Sequence, residues 1–134
     1  MAEPVVYVST WKIKEGKFEE YRRFNDEIVR IVAEEEPRVA TFLAFANDDG
    51  TEITNVHVFA DQETLDRHMG ILADRMGLLP SDVTGVSQFL APVRLDVYGR
   101  PSQSALDIDR SLVSADVPSS SKARFVGGFT RTAA

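Results

Sequence analysis

Residues 5–18 read VVYVSTWKIKEGKF and contain the first unit of the predicted fold. Val, Tyr, Thr and Trp are enriched in strands, so Val5–Lys14 is predicted to form a strand, β1. Glu15 and Gly16 interrupt this strand. A helical pattern opens at Lys17, so the chain is expected to pass directly from a strand into a helix.

This helix, α1, is predicted over Lys17–Glu36. Its apolar residues recur every three or four positions, which places them on one face of a helix. They are Phe18, Tyr21, Phe24, Ile28, Ile31 and Val32. Acidic residues at 34–36 oppose the helix dipole, and the residue before Pro37 avoids helical geometry. We therefore expect α1 to fray and to end by Glu36.

A hairpin is predicted next. Val39–Ala46 is an almost unbroken apolar run of strand length, and Glu52–Phe59 alternates between apolar and polar residues. Between them, Asn47–Gly50 is a strong turn signal. These two strands, β2 and β3, are expected to pair.

The second half of the core is predicted as a helix followed by a strand. Asp61 is a good N-cap for a helix, α2, that runs to about Met76 and stops at Gly77. The strand β4 is predicted over Val86–Tyr98, where Pro92 indicates an edge or a bulge. The predicted order is therefore β1-α1-β2-β3-α2-β4.

The C-terminal segment has a different composition. Pro101 and Ser102 open a possible short helix, and the run Pro118–Ser121 is typical of a linker. Phe125 and Phe129 need somewhere to be buried, because disordered segments are poor in aromatic residues. We expect an arm that docks on a partner subunit or exchanges a strand with it.

Two of the predicted strands place polar and aromatic side chains on one sheet face, because alternate strand residues share a face. These side chains are Tyr7, Ser9 and Trp11 on β1 and Asn55, His57 and Phe59 on β3. The opposite face carries Val6, Val8, Val56 and Val58. A buried polar group costs free energy unless it is hydrogen-bonded, so the mixed face indicates a pocket, a wet interface or exposure to solvent. The sequence leaves open whether this face meets the helices or a partner sheet.

Composition excludes several classes of protein. The chain has 134 residues, of which 43% are hydrophobic, and this suits a single domain with a core. It lacks cysteine, which excludes disulfides, thiolate nucleophiles and cysteine-bound metals. A net charge of −6 without a basic cluster argues against a nucleic-acid partner. No signal-peptide pattern and no long apolar run is found, so we expect a cytoplasmic protein that does not associate with membranes.

The predicted sheet has both helices on one face, and its strands are too apolar to meet water on the other. A second copy packed face to face, about 10 Å away, would cover that side. The sequence therefore predicts a homodimer.

Two junctions resemble the antibiotic-biosynthesis monooxygenase domain. They are WKIKEGKF at residues 11–18 and VFADQETLDRH at residues 58–68. The resemblance implies an α+β, ferredoxin-like β-α-β-β-α-β domain with an antiparallel sheet, which pairs into a dimeric α+β barrel. It covers the predicted core, so we divide the chain into a domain at residues 1–99 and a C-terminal arm at residues 100–134.

The family includes cofactor-free oxygenases of anthrones or quinols, haem-degrading enzymes, signal-related proteins and many without an established activity. The haem-degrading members use an Asn on the first strand and a Trp at the end of the third. Ser9 and Phe59 stand at those positions here, which argues against haem. His68 matches a histidine that is common in the broader family near the start of α2.

The resemblance implies a cofactor-independent monooxygenase that uses molecular oxygen on a small aromatic or quinol-like substrate. Histidine suits the role of the base that deprotonates a phenol, because its ordinary pKa is near neutrality. The predicted catalytic residues are His68, His57 and Asn55, and the predicted substrate-binding residues are Tyr7, Ser9, Trp11 and Phe59. We expect no metal site, because the two histidines have no acidic partners at ligand spacing. We expect no nucleotide cofactor, because the sequence contains no phosphate-binding loop.

Two alternatives stay open. The same face can belong to a non-catalytic dimeric protein that binds a small ligand or acts in a stress response, and haem binding ranks third. His57 more often serves in a cross-strand polar pair or a dimer-interface hydrogen bond than as a catalytic base, and Trp11 more often serves in packing than as a substrate platform. A cavity of about 300 Å³ or more with a histidine facing it would favour the enzyme, whereas solid packing would favour the structural role.

Overall fold

The computed structural model describes residues 3–76, 89–112 and 117–131. The elements are β1 (Val5–Ile13), α1 (Phe18–Glu35), β2 (Val39–Ala46), β3 (Glu52–Phe59), α2 (Gln62–Met76), β4 (Leu90–Tyr98), α3 (Gln103–Leu112) and β5 (Ser119–Lys122). The predicted β1-α1-β2-β3-α2-β4 order is confirmed. The predicted stop at Gly77 and the first residues of the predicted β4, 86–88, lie outside the described residues.

Local sequence signals explain where several elements begin and end. Asp61 caps α2, because its Oδ1 accepts a hydrogen bond from the backbone N–H of Thr64 at 2.8 Å. The hairpin turn is held by Asn47, whose Oδ1 accepts from the backbone N–H groups of Thr51 and Glu52. Gly50 in this turn has a φ of +70°, which glycine adopts without strain.

The five strands lie in the order β2-β3-β1-β4-β5. β1 is central and runs antiparallel to both β3 and β4. The pairing of β1 with β4 shifts by one residue between Thr10 and Trp11, opposite Pro92. The bulge indicated by this proline is therefore confirmed.

The register places the polar-aromatic row on one face, as predicted. Tyr7 lies opposite His57 and Ser9 lies opposite Asn55. The helices cover this face, since Tyr21 of α1 packs with Trp11 and Leu65 of α2 packs with Tyr7. The row thus lies inside the subunit, between the sheet and the helices.

The opposite sheet face has no covering layer within the described chain. Leu43 and Phe45 on β2 are 48% and 62% exposed. These are large apolar side chains on a surface that faces solvent in a single copy.

In the C-terminal segment, one prediction is confirmed and one is wrong. Helix α3 forms where Pro101 and Ser102 indicated it, and Ser102 caps it by accepting from the backbone N–H of Ala105 at 3.1 Å. The predicted linker at Pro118–Ser121 is wrong, because Ser119–Lys122 form β5 and pair in parallel with the end of β4. Backbone hydrogen bonding to a neighbouring strand compensates here for the low strand propensity of serine.

The aromatic residues after β5 are exposed in the single chain, with Phe125 at 38% and Phe129 at 79%. The sequence predicts that these residues are buried, but a single copy does not bury them. None of the helices among the described residues has the length and apolar character needed to cross a membrane.

Candidate functional site

A cavity lies between the sheet and helices α1 and α2. Its free volume is about 80 Å³. All seven of the predicted site residues line it: Tyr7, Ser9, Trp11, Asn55, His57, Phe59 and His68. The cavity is smaller than the roughly 300 Å³ of a typical small-molecule site. A ring-sized ligand therefore requires the surrounding side chains to move.

His68 is held by a carboxylate that the sequence analysis did not assign to the site. Its Nδ1 lies 3.0 Å from Oε2 and 3.1 Å from Oε1 of Glu36. Both residues are buried, at 5% and 4% exposure. The bond fixes the ring, so Nε2 is turned away from Glu36. A carboxylate that orients a histidine in this way is a common arrangement for a general base.

Glu36 occupies this position because α1 ends there. Its backbone N–H donates to the carbonyl of Val32 at 2.9 Å, and Pro37 follows. The predicted fraying is not seen at this residue. An acidic group that the helix dipole disfavours is instead bonded to His68 of α2, which offsets that cost.

His57 lies in an apolar environment. Its ring stacks on Phe42, with 3.8 Å between centroids and 6° between planes. Burial, and secondarily the neighbouring His68, lowers the pKa of His57 to about 3. His57 is therefore neutral near neutral pH and offers an uncharged donor and acceptor rather than a cation.

Asn55 contributes a polar atom without a partner. Among the buried side-chain atoms of the described residues, its Oδ1 alone has no hydrogen bond. Burial raises the pKa of Tyr21, and a hydrogen bond with Asn55 partly offsets this, so the amide also contacts a phenol. An unpaired buried carbonyl costs about 1–3 kcal/mol, which a ligand donor would recover.

Ser9 and Trp11 satisfy each other. The indole Nε1 donates to the Ser9 hydroxyl at 2.8 Å, and both residues are buried. The indole orientation is thereby fixed at one wall of the cavity. Phe59 is the last residue of the row on β3 and is 2% exposed, with its ring 5.1 Å from that of His68 and 6.4 Å from that of Tyr7.

Tyr7 is bonded to a residue of the C-terminal segment. Its hydroxyl donates to Oδ2 of Asp109 on α3 at 2.6 Å. Burial raises the pKa of Asp109 to about 6, although the hydrogen bond from Tyr7 works against this. Asp109 lines the cavity together with Tyr7. Asp109 was not predicted as a site residue, because it lies in the segment that was expected to form an arm.

The residues present do not fit haem. The cavity volume is far below what a porphyrin needs, and His68 has one ring nitrogen committed to Glu36. Within the described residues, His and acidic side chains do not form a group of three that could hold a metal ion.

This chain is similar to known proteins in its structure, and the sequence comparisons found no match. No protein-family model matches the sequence, and none of the curated proteins matches it. MupZ from Pseudomonas fluorescens aligns with a TM-score of 0.63 and 16% identity, over 96% of this chain and 91% of its own. A Caulobacter crescentus protein provisionally named an antibiotic biosynthesis monooxygenase aligns with a TM-score of 0.58 and 16% identity, over 72% and 88%.

This chain has the antibiotic biosynthesis monooxygenase fold. SnoaB from Streptomyces nogalater, a cofactor-independent oxygenase, also shares it, with a TM-score of 0.55 and 14% identity over 76% of this chain and 97% of SnoaB. At these identities the likeness is one of fold. The fold that the junction motifs imply, of the ferredoxin-like α+β class, is thereby confirmed, while the chemistry must be argued from the cavity.

Proposed function

We propose that this protein is a cofactor-independent monooxygenase of small quinol-like aromatic substrates, with His68 as the general base. The observation that carries the proposal is the buried bond between His68 Nδ1 and the Glu36 carboxylate beside the cavity. It holds the imidazole in one orientation and leaves Nε2 to receive a proton. The fold shared with SnoaB gives the proposal a precedent by analogy.

The chemistry requires only a base and oxygen. His68 takes a phenolic proton, and the resulting electron-rich anion transfers an electron to O₂. With hydroquinone, C₆H₆O₂ and O₂ give hydroxybenzoquinone, C₆H₄O₃, and water. One oxygen atom enters the ring and the other leaves as water, so the substrate itself supplies the electrons.

Other cavity residues hold the substrate in this scheme. The unpaired Asn55 Oδ1 accepts a hydrogen bond from the reacting hydroxyl until His68 takes its proton. Trp11, Tyr7 and Phe59 form aromatic walls, and Ser9 fixes the indole of Trp11. His57 is uncharged at neutral pH, so it acts as a hydrogen-bonding group.

Substrate size follows from the cavity. A free volume of about 80 Å³ is less than the ~150 Å³ of an engineered cavity that takes up benzene. Met69 is partly buried, lines the cavity and has a flexible side chain, so its movement would make room for one ring. We therefore propose single-ring substrates rather than larger anthrones.

The test is incorporation of labelled oxygen. Protein treated with a chelator and free of flavin is incubated with hydroquinone under ¹⁸O₂, and the product is analysed by mass spectrometry against a protein-free control. The proposal predicts one ¹⁸O atom in the hydroxybenzoquinone formed above the background rate. Product formation at the protein-free rate would refute it.

The second candidate function is non-catalytic binding of a small ligand, and it is favoured because the cavity falls short of the roughly 300 Å³ expected for an enzyme site. A binding protein would be stabilised against thermal unfolding by a phenol that is recovered unchanged. Stabilisation without oxygen consumption would select this function over the enzyme.

We further propose that the active form is a cytoplasmic homodimer. The apolar sheet face that carries Leu43 and Phe45 supports this assembly, since a second copy would remove it from water. The exposed Phe125 and Phe129 support an arm that contacts the partner subunit.

A further inference from the structure

The hydrogen bond between Tyr7 and Asp109 joins the first strand to the C-terminal helix. Tyr7 is 9% exposed and Asp109 is 7% exposed, and the donor and acceptor are 2.6 Å apart. The scheme above assigns no step to Asp109. Burying a carboxyl group is costly, so its place beside a cavity needs an explanation.

Helix α3 is anchored so that Asp109 faces the cavity. Ala105, one turn before Asp109, is 1% exposed and packs in the core with Tyr7. Ser102, the cap of α3, also donates to Asp66 Oδ1 on α2 at 2.7 Å. Gln62 of α2 donates to the backbone carbonyl of Arg100 at 2.9 Å. These bonds hold the helix against α2 independently of Asp109.

The pair lies beside the other polar groups of the cavity. Tyr7 is the direct neighbour of His57 across β1 and β3. The Phe59 ring contacts both the Tyr7 ring and the His68 ring. The cavity therefore has two carboxylate-bonded groups next to Phe59: His68 with Glu36, and Tyr7 with Asp109.

We propose that Tyr7 and Asp109 form a second polar anchor, which binds the hydroxyl group of a quinol that is not deprotonated by His68. The Asp109 carboxylate accepts a hydrogen bond from that hydroxyl, while Tyr7 holds the carboxylate in place. The C-terminal helix is then part of the binding site and selects dihydroxylated rings over monohydroxylated ones. This substrate class rests on the proposed function.

A purely structural pair would behave differently. Replacing both partners of a buried hydrogen bond by apolar groups of similar shape is nearly neutral for stability. The double variant Tyr7→Phe/Asp109→Leu removes donor and acceptor together and avoids an unpaired buried group. It can therefore separate ligand selection from folding.

The experiment compares binding of hydroquinone and 4-methylphenol, in which a methyl group replaces one hydroxyl. Dissociation constants are measured by NMR titration under anaerobic conditions, so that no turnover occurs. Hydrogen bonds to charged groups predict that wild type favours hydroquinone by about 10- to 100-fold. Asp107→Leu is the matched control, because Asp107 is exposed on the same helix and bonds only its neighbours Gln103 and Arg110 among the described contacts.

The inference predicts that the double variant loses this preference or favours 4-methylphenol, and that it binds 4-methylphenol as well as wild type does. Asp107→Leu should keep the wild-type ratio. A preference that persists in the double variant, or is absent from wild type, would overturn the inference. Oxygen consumption reports on the proposed function separately, since it depends on His68, whereas the binding ratio should survive in His68→Gln.

Discussion

The two histidines in the cavity have different surroundings. His57 is stacked on Phe42 and is neutral, whereas His68 is bonded to the Glu36 carboxylate. The row of alternating residues on β1 and β3 was predictable from strand geometry alone. Glu36 and Asp109 were not, because each lies far along the chain from the residue it bonds. The one available signal was the acidic residue at the C-terminus of α1, where the helix dipole disfavours it.

His57 should make the protein sensitive to acid. Its pKa is about 3 in the folded state and near 6.5 when unfolded, so the unfolded state binds the proton first as pH falls. The stability that this group contributes is complete above pH 6.5 and is lost as pH falls toward 3. We expect wild type to lose about 3 kcal/mol more than His57→Phe between pH 7 and pH 4. Urea unfolding of both proteins at several pH values measures this, and parallel pH profiles would contradict it.

Glu36 should act on activity through His68. Glu36→Gln removes the charge but can still form a hydrogen bond with the imidazole, so folding should change little. We expect turnover of hydroquinone to fall by about 10²- to 10⁴-fold, because the negative charge that stabilises the protonated imidazole is lost. Glu34→Gln is the matched control, since Glu34 is exposed and pairs only with Arg30 among the described contacts. Equal turnover in the two variants would show that Glu36 has only a structural role.

Among the elements, the periodic patterns predicted the helices and strands of the core. They did not predict the edge strand β5, whose residues were expected to form a linker. The hydrophobic spacing predicted helices α1 and α2, and the turn signal before β3 predicted the hairpin; both predictions are confirmed. β5 reads SSSK, a composition without strand propensity. It forms because the end of β4 offers unpaired backbone groups, as in the bond from the Gly99 N–H to the Lys122 carbonyl at 2.9 Å. That opportunity is a property of the sheet and leaves no local pattern.

The cap of α3 should matter to the site as well as to the helix. Ser102→Ala removes both the cap and the bond to Asp66, at a cost of about 1–2 kcal/mol. Backbone amides of α3 should exchange hydrogen faster, and the preference for hydroquinone over 4-methylphenol should weaken. Ser104→Ala, at an exposed position of the same helix, is the control and should change neither. Unchanged exchange in Ser102→Ala would mean that α3 is held by its core contacts alone.

In the whole molecule, the apolar face of the sheet opposite the helices stays exposed in a single copy. The sequence predicted that this face needs a cover, and the structure shows Leu43 and Phe45 exposed on it. The helices therefore cover one face of the sheet, and the other face is exposed in a single copy.

The dimer should depend on that face. We expect wild type to sediment as a dimer at micromolar concentration, and Leu43→Lys/Phe45→Lys to sediment as a monomer, because two buried charges without partners would destabilise the interface. Val29→Lys is the control, since Val29 is 38% exposed on α1 and lies away from the sheet face. A wild-type monomer at this concentration would contradict the proposed assembly.

Oxygen consumption shows whether His68 acts as the general base. The rate is measured with hydroquinone for wild type and for His68→Gln, each treated with a chelator and corrected for the protein-free rate. If His68 is the base, wild type consumes oxygen at a clear rate and the variant loses about 10²- to 10⁴-fold, with the fold intact by circular dichroism. A folded His68→Gln variant that consumes oxygen at the wild-type rate would show that His68 is not the base.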